Sequence, residues 1–181
     1  GIAGFVGSWS PALAAAMTAA IAHRGPDGDG LWSDEGVALG HRRLSIIDLS
    51  DAAAQPMRSA DDRYVLTYNG EIYNFRDLRL ELEQAGAVFR TGSDTEVLLA
   101  LFARDGLECV KRLNGIFAFA VWDRRDRVLS IARDHLGVKP LYYAVLPQGF
   151  IFASELKSLT LCPDLPREID AATVGDHLGF L

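Results

Sequence analysis

The chain has 181 residues, 49% of them hydrophobic, punctuated by 17 Gly and 7 Pro, which excludes a disordered or low-complexity polypeptide and fits one globular domain. Lys and Arg number 18 against 24 Asp and Glu, and the net charge of -6 argues against a general nucleic-acid or anionic-membrane binder. Two cysteines, Cys109 and Cys162, cannot build a disulfide framework or a four-Cys zinc site, so a reducing compartment is the default expectation.

The sequence opens at Gly1 without an initiator Met, and residues 1–7 are too few and lack the basic flank of a signal peptide. Residues 2–6 form an apolar run between glycines and predict a buried strand. Ser10-Pro11 predicts an N-cap and first helical position for a helix reaching about Ala22. Residues 64–68, β-branched and aromatic, predict a strand. Asn74 predicts the cap of a second helix, with Leu78, Leu82 and Ala85 on one face and Gly86 as its stop. Ser93 or Asp94 predicts the cap of a third, with Val97, Leu98, Leu101 and Phe102 at one-face spacing, followed by a shorter helix over 107–113. Residues 115–122 and 128–132, joined by a polar turn, predict a hairpin, and 141–146 with 150–153 around Pro147-Gln148-Gly149 predict another. A last helix is expected from Asp170. No apolar run approaches the ~20 residues of a membrane span. Helices in blocks between antiparallel hairpins predict an α+β layered fold, and consecutive apolar residues within strands predict sheets covered on both faces.

Four polar segments stand apart from ordinary loops. His23-Arg24-Gly25-Pro26-Asp27-Gly28-Asp29-Gly30 is explicable as a Gly-rich connection and lacks phosphate-loop spacing. Arg42-Arg43, before an apolar stretch, reads either as solvated charges at a strand end or as a guanidinium clamp for a carboxylate. Asn69-Gly70 between β-rich runs reads either as a type I′ turn or as an amide beside a backbone N–H, two adjacent donors for an oxyanion. Asp94 is either a first-turn acid favoured by the helix dipole or the partner of a substrate ammonium. The four histidines, His23, His41, His135 and His177, have no ligand-like spacing, and no metal is expected. Cys109 reads as a small buried hydrophobe, and Cys162 has no evident activating partner.

Taken in order, Gly1-Ile2-Ala3-Gly4-Phe5, Arg24-Gly25-Pro26-Asp27, Arg43-Leu44-Ser45-Ile46, Asn69-Gly70-Glu71-Ile72-Tyr73-Asn74 and Gly92-Ser93-Asp94-Thr95-Glu96 are followed by further strings. These are Leu113-Asn114-Gly115-Ile116-Phe117-Ala118-Phe119, Ala132-Arg133-Asp134-His135-Leu136-Gly137-Val138-Lys139-Pro140-Leu141-Tyr142-Tyr143 and Phe152-Ala153-Ser154-Glu155. The series resembles the class II glutamine amidotransferase (glutaminase) domain of glutamine-hydrolysing asparagine synthetases over nearly the whole chain. The resemblance implies an N-terminal-nucleophile hydrolase fold, an αββα four-layer sandwich of two antiparallel sheets.

The resemblance further implies hydrolysis of glutamine to glutamate and ammonia for ATP-dependent amidation of aspartate in a C-terminal synthetase domain. Arg43 would clamp the glutamine α-carboxylate, and Asp94 the α-ammonium with Glu71 assisting. Leu44, Ser45, Ile46 and Ile47 would wall the pocket, while Asn69 and Gly70 would form the oxyanion hole. The nucleophile is expected as a Cys immediately before Gly1, which this sequence does not contain, so the chain as written is expected to be inactive. Residues 1–162 are expected to form the amidotransferase domain and 163–181 a linker and the start of the synthetase domain. No cofactor is expected here, with ATP and Mg belonging to the synthetase domain. The expected partners are glutamine and that domain, not nucleic acid or membrane, with a homodimer one option for the full-length enzyme and a cytoplasmic location. Two alternatives stay open: a glutaminase-dead binding module that retains the pocket, and an amidotransferase domain serving an acceptor other than aspartate.

Overall fold

The computed structural model describes residues 1–44, 54–168 and 173–174. Nine strands form two antiparallel sheets among the described residues. In the first, β1 (Ile2–Gly7) lies centrally, flanked by β3 (Val37–Arg43) and β9 (Gly149–Ala153), with β2 (Gly28–Asp34) and β8 (Tyr142–Leu146) at the edges. In the second, β5 (Tyr64–Ile72) and β6 (Gly115–Asp123) lie between β4 (Met57–Arg58) and β7 (Val128–Arg133). The sheets stack face to face around Ile2, Leu39, Val65, Ala118, Ala120 and Phe152. Thr67 Oγ1 donates to the Gly40 carbonyl across that interface at 3.1 Å.

Helices cover both outer faces. Against the first sheet pack α1 (Pro11–Ala20) and α4 (Leu156–Leu159), through Ala14, Met17 and Leu159. Against the second pack α2 (Phe75–Gln84) and α3 (Asp94–Asp105), through Leu78, Leu82, Leu98, Leu101 and Phe102. The order α1/α4, sheet, sheet, α2/α3 is the αββα sandwich that the family resemblance implies. It explains the unbroken apolar run in β6, where residues 117–122 are buried on both faces.

Most predicted elements form where expected, and the caps show why. Ser10 Oγ accepts from the Ala12 N–H at 3.3 Å at the start of α1, and Ser93 Oγ from Glu96 N–H at 3.3 Å at the start of α3. Asn74 precedes α2 but makes no side-chain cap there. Its Oδ1 accepts from Asn114 N–H at 3.0 Å and its Nδ2 donates to the Arg112 carbonyl at 2.9 Å, pinning the loop before β6. Ala85 does not join the buried face of α2; it is the exposed C-terminal cap. The segment over 107–113 is a 3₁₀ helix, Gly106–Arg112. The β2/β3 hairpin was not legible, because β2 buries no complete face and reads as polar. Apart from Thr173 and Val174, the helix expected from Asp170 lies outside the described residues.

Candidate active site

The β-sheet register assembles the site. Asn69-Gly70 is not a turn: both residues lie inside β5, opposite Ala118 and Phe117 of β6. Gly is required there because a Cβ on Gly70 would sit 2.3 Å from the Ile116 carbonyl oxygen and 2.7 Å from Phe117 Cα. Along β5, Tyr68 N–H donates to Gln55 Oε1 at 2.6 Å and Ile72 N–H to Asp94 Oδ2 at 3.0 Å. Alternation along a strand turns the intervening Gly70 N–H to the same edge. Among the described residues no strand pairs with β5 there, since β4 reaches only Leu66 and Val65.

Arg43 ends β3, opposite Gly28 of β2. Asp94 opens α3 and is only 4% exposed. Its Oδ2 also accepts from the Tyr68 hydroxyl at 2.7 Å. Burial pushes the Asp94 carboxyl above its ordinary value, against the opposing hydrogen bonds from Tyr68 and Ile72. Arg43, Leu44, Asn69, Gly70, Glu71 and Asp94 line one cavity of about 410 Å³ at the end of the sandwich. Six of the nine residues singled out in the sequence therefore meet, with Glu71 and Leu44 at the exposed rim. Ser45, Ile46 and Ile47 lie outside the described residues.

Gly1 lines the same cavity. Its amine donates to the Arg42 carbonyl at 2.8 Å, and Arg42 N–H returns a bond to the Gly1 carbonyl at 2.7 Å. This pair continues the β1/β3 ladder one step beyond Ile2 and His41. Burial, then the charges of Arg24 and Lys139, lower the Gly1 amine to about 5. Arg24 is anchored by Glu155, whose Oε1 accepts from Arg24 Nη1 at 3.0 Å and pairs with His23 Nε2 at 2.8 Å. Burial would raise the Glu155 carboxyl, but bonds from Arg24, His23 and Lys157 hold it at about 2.

Three further polar atoms of this region are buried without a hydrogen-bond partner: Asn69 Nδ2, His41 Nδ1 and Arg24 Nε. A buried donor left unmade costs about 1–3 kcal/mol, so Asn69 marks a place where a ligand acceptor would repay it. His41 is 5% exposed, and burial, then the charge of the chain terminus, lowers its pKa to about 3. The ring is neutral at pH 7 and offers no general acid–base group in that range. It does have a stability consequence. Unfolded His takes a proton near 6.5 while the native ring takes none until about 3, so the unfolded state binds more protons in that window and stability falls as pH falls through it. From pH 7 to 5 the His41 contribution falls by about 2 kcal/mol. Urea unfolding of the parent and of His41→Asn at both pH values checks this; equal losses in the two proteins contradict it.

Sequence reasoning missed Gln55, which also lines the cavity. It sits beyond a polar, Ala-rich stretch with no periodicity to mark it. Neither cysteine belongs to the site: Cys109 and Cys162 are fully buried, and burial, then the Asp105 charge, raises the Cys109 thiol to about 12. No group of His, Cys, Asp and Glu able to hold a metal occurs among the described residues.

The family model for the glutamine amidotransferase domain matches residues 1–180. The glutamine-hydrolyzing asparagine synthetase 1 of Bacillus subtilis is 46% identical over 164 residues, 91% of this chain and 26% of that protein. The glutamine-hydrolyzing asparagine synthetase B of Escherichia coli is 45% identical over 138 residues, 76% of this chain and 24% of that protein. The chain thus spans about a quarter of the length of these curated relatives. Among solved structures, the glutamine phosphoribosylpyrophosphate amidotransferase of B. subtilis shares the fold with a TM-score of 0.76 at 24% identity, covering 88% of this chain and 43% of that one. The fold is that of the N-terminal-nucleophile hydrolases.

Proposed function

The chain belongs to the glutamine amidotransferase domain family, and from that premise we propose that it is the glutaminase domain of an asparagine synthetase, releasing ammonia from glutamine for a C-terminal synthetase domain. The observation that carries this reading is one cavity holding a guanidinium, a buried carboxylate and an unpartnered amide donor, contributed by Arg43, Asp94 and Asn69. An α-amino acid supplies the carboxylate and ammonium that complement the first two. A side-chain carboxamide supplies the carbonyl that complements the third.

The nucleophile in this reading is a Cys preceding Gly1. One more step of the β1/β3 ladder, beyond the Gly1–Arg42 pair, sets that residue opposite Arg43, at the cavity. Its thiol attacks the carboxamide carbon and passes its proton to the residue's own α-amine. The oxyanion receives hydrogen bonds from Asn69 Nδ2 and Gly70 N–H. Collapse returns the proton to the departing nitrogen, releasing ammonia and leaving a thioester that water cleaves to glutamate. In this reading, replacing that Cys abolishes hydrolysis and leaves glutamine binding in place. ATP and Mg belong to the synthetase domain, and residues 163–181 to the connection toward it.

The test is ammonia release from glutamine by the full-length protein with its N-terminal Cys, and by its Cys→Ala variant. Hydrolysis by the first alone is expected; no hydrolysis by either overturns the reading.

The alternative of a different amide acceptor leaves this cavity unchanged. It is decided by assaying full-length protein with aspartate and other carboxylates.

A further inference from the structure

Gln55 stands between the two halves of the cavity and has no part in the chemistry above. Its Oε1 accepts the Tyr68 N–H at 2.6 Å, one residue before Asn69. Its Nε2 donates to Thr95 Oγ1 at 3.4 Å, one residue after Asp94. Tyr68 closes the same circuit from below, its hydroxyl donating to Asp94 Oδ2 at 2.7 Å. Thr95 and Tyr68 are themselves buried. The β5 edge therefore presents three successive same-side N–H groups. Tyr68 N–H is taken by Gln55 and Ile72 N–H by Asp94, and Gly70 N–H lies between them.

We propose that Gln55, together with the Tyr68 hydroxyl, is a brace that sets the separation of the ammonium acceptor on α3 from the oxyanion donors on β5, and thereby selects the side-chain length of the α-amino carboxamide that reacts. The proposal rests on the glutaminase reading. The physical reason is that α3 and β5 meet here through side chains. No backbone ladder joins a helix N-terminus to a strand edge, so, beyond the apolar packing of α3 on the sheet, their local spacing at the site is set by the hydrogen bonds that bridge them. The substrate spans the same two points, from α-ammonium to carbonyl oxygen, and one methylene more or less misplaces its carbonyl against Asn69 and Gly70. A single methylene is worth about 10–200-fold in kcat/KM when a site is stiff enough to register it. Gln55 touches neither reacting atom and is a positioning residue.

The test compares glutamine, asparagine and glutaramate, the last being glutamine without its α-amine, in the full-length protein with its N-terminal Cys. Glutaramate makes no ammonium contact, so the brace is irrelevant to it. In Gln55→Met, kcat/KM for glutamine should fall about tenfold or more, and the preference for glutamine over asparagine should narrow by about the same factor. The glutaramate rate should change less than about threefold. Tyr68→Phe and the near-isosteric Thr95→Val each remove one bond of the circuit and should show the same split, which keeps the test open if Gln55→Met folds poorly. Equal losses on glutamine and glutaramate, or an unchanged glutamine-to-asparagine ratio in all three variants, overturn the brace while leaving glutaminase activity established. A parent protein that hydrolyses no glutamine overturns both.

Discussion

Asn69→Ala, in full-length protein with its N-terminal Cys, lowers kcat for glutamine hydrolysis by about 10²–10³, with KM changed less than about threefold. The split follows from the state of the Asn69 amide. Its Nδ2 is buried in the free protein with no acceptor, so its best partner arrives only when negative charge develops on the carboxamide oxygen. A neutral carbonyl repays part of the desolvation; an oxyanion repays more, and only that difference accelerates the reaction. Truncation to Ala also removes an unsatisfied donor, so the variant should be no less stable than the parent. Steady-state kinetics and urea unfolding of the same preparations check both statements. A loss confined to KM removes Asn69 from the oxyanion hole.

Asp94→Asn gives the opposite signature. KM for glutamine rises about 10²-fold or more, in line with the roughly 2–5 kcal/mol lost when one member of a desolvated charge pair is removed. At saturation kcat stays within a few-fold. The carboxylate is held in place before substrate arrives, by the Tyr68 hydroxyl and the Ile72 N–H, and keeping it charged while 4% exposed costs free energy that an incoming ammonium offsets. Asn preserves the shape and one oxygen acceptor but not the charge. Glutaramate separates the charge effect from misfolding: its kcat/KM should be the same in the parent and in Asp94→Asn. A parallel loss on glutaramate assigns Asp94 to the architecture of α3 instead.

What the order of residues made legible is unequal across the molecule. Segments whose partners are close in sequence were readable from local chemistry. The β6/β7 and β8/β9 hairpins, the Ser10 and Ser93 caps and the buried face of α3 all belong here. Asn74 misled for the same reason: an Asn before an amphipathic run is a cap by local rules, yet its bonds go to Arg112 and Asn114, 38 and 40 residues away. The Asn69-Gly70 pair shows the limit from the other side. Alone it reads either as a turn or as a pair of donors, and it is the long pairing with β6 that keeps the chain extended.

The sequence by itself determined the kind of molecule: a layered α+β domain, and through its ordered motifs the family and the candidate residues Arg43, Asn69, Gly70, Glu71 and Asp94. Only the tertiary structure decided that these residues, from β3, β5 and α3, share one cavity, that Asn69 lacks a partner and Asp94 does not, and that Gln55 joins the two halves. The physical reason is that side-chain type is a local property whereas desolvation and hydrogen-bond satisfaction are set by neighbours distant in the chain. A residue's chemistry can be read at its own position; whether that chemistry is spent on the fold or left for a ligand depends on what the packed sheets bring against it.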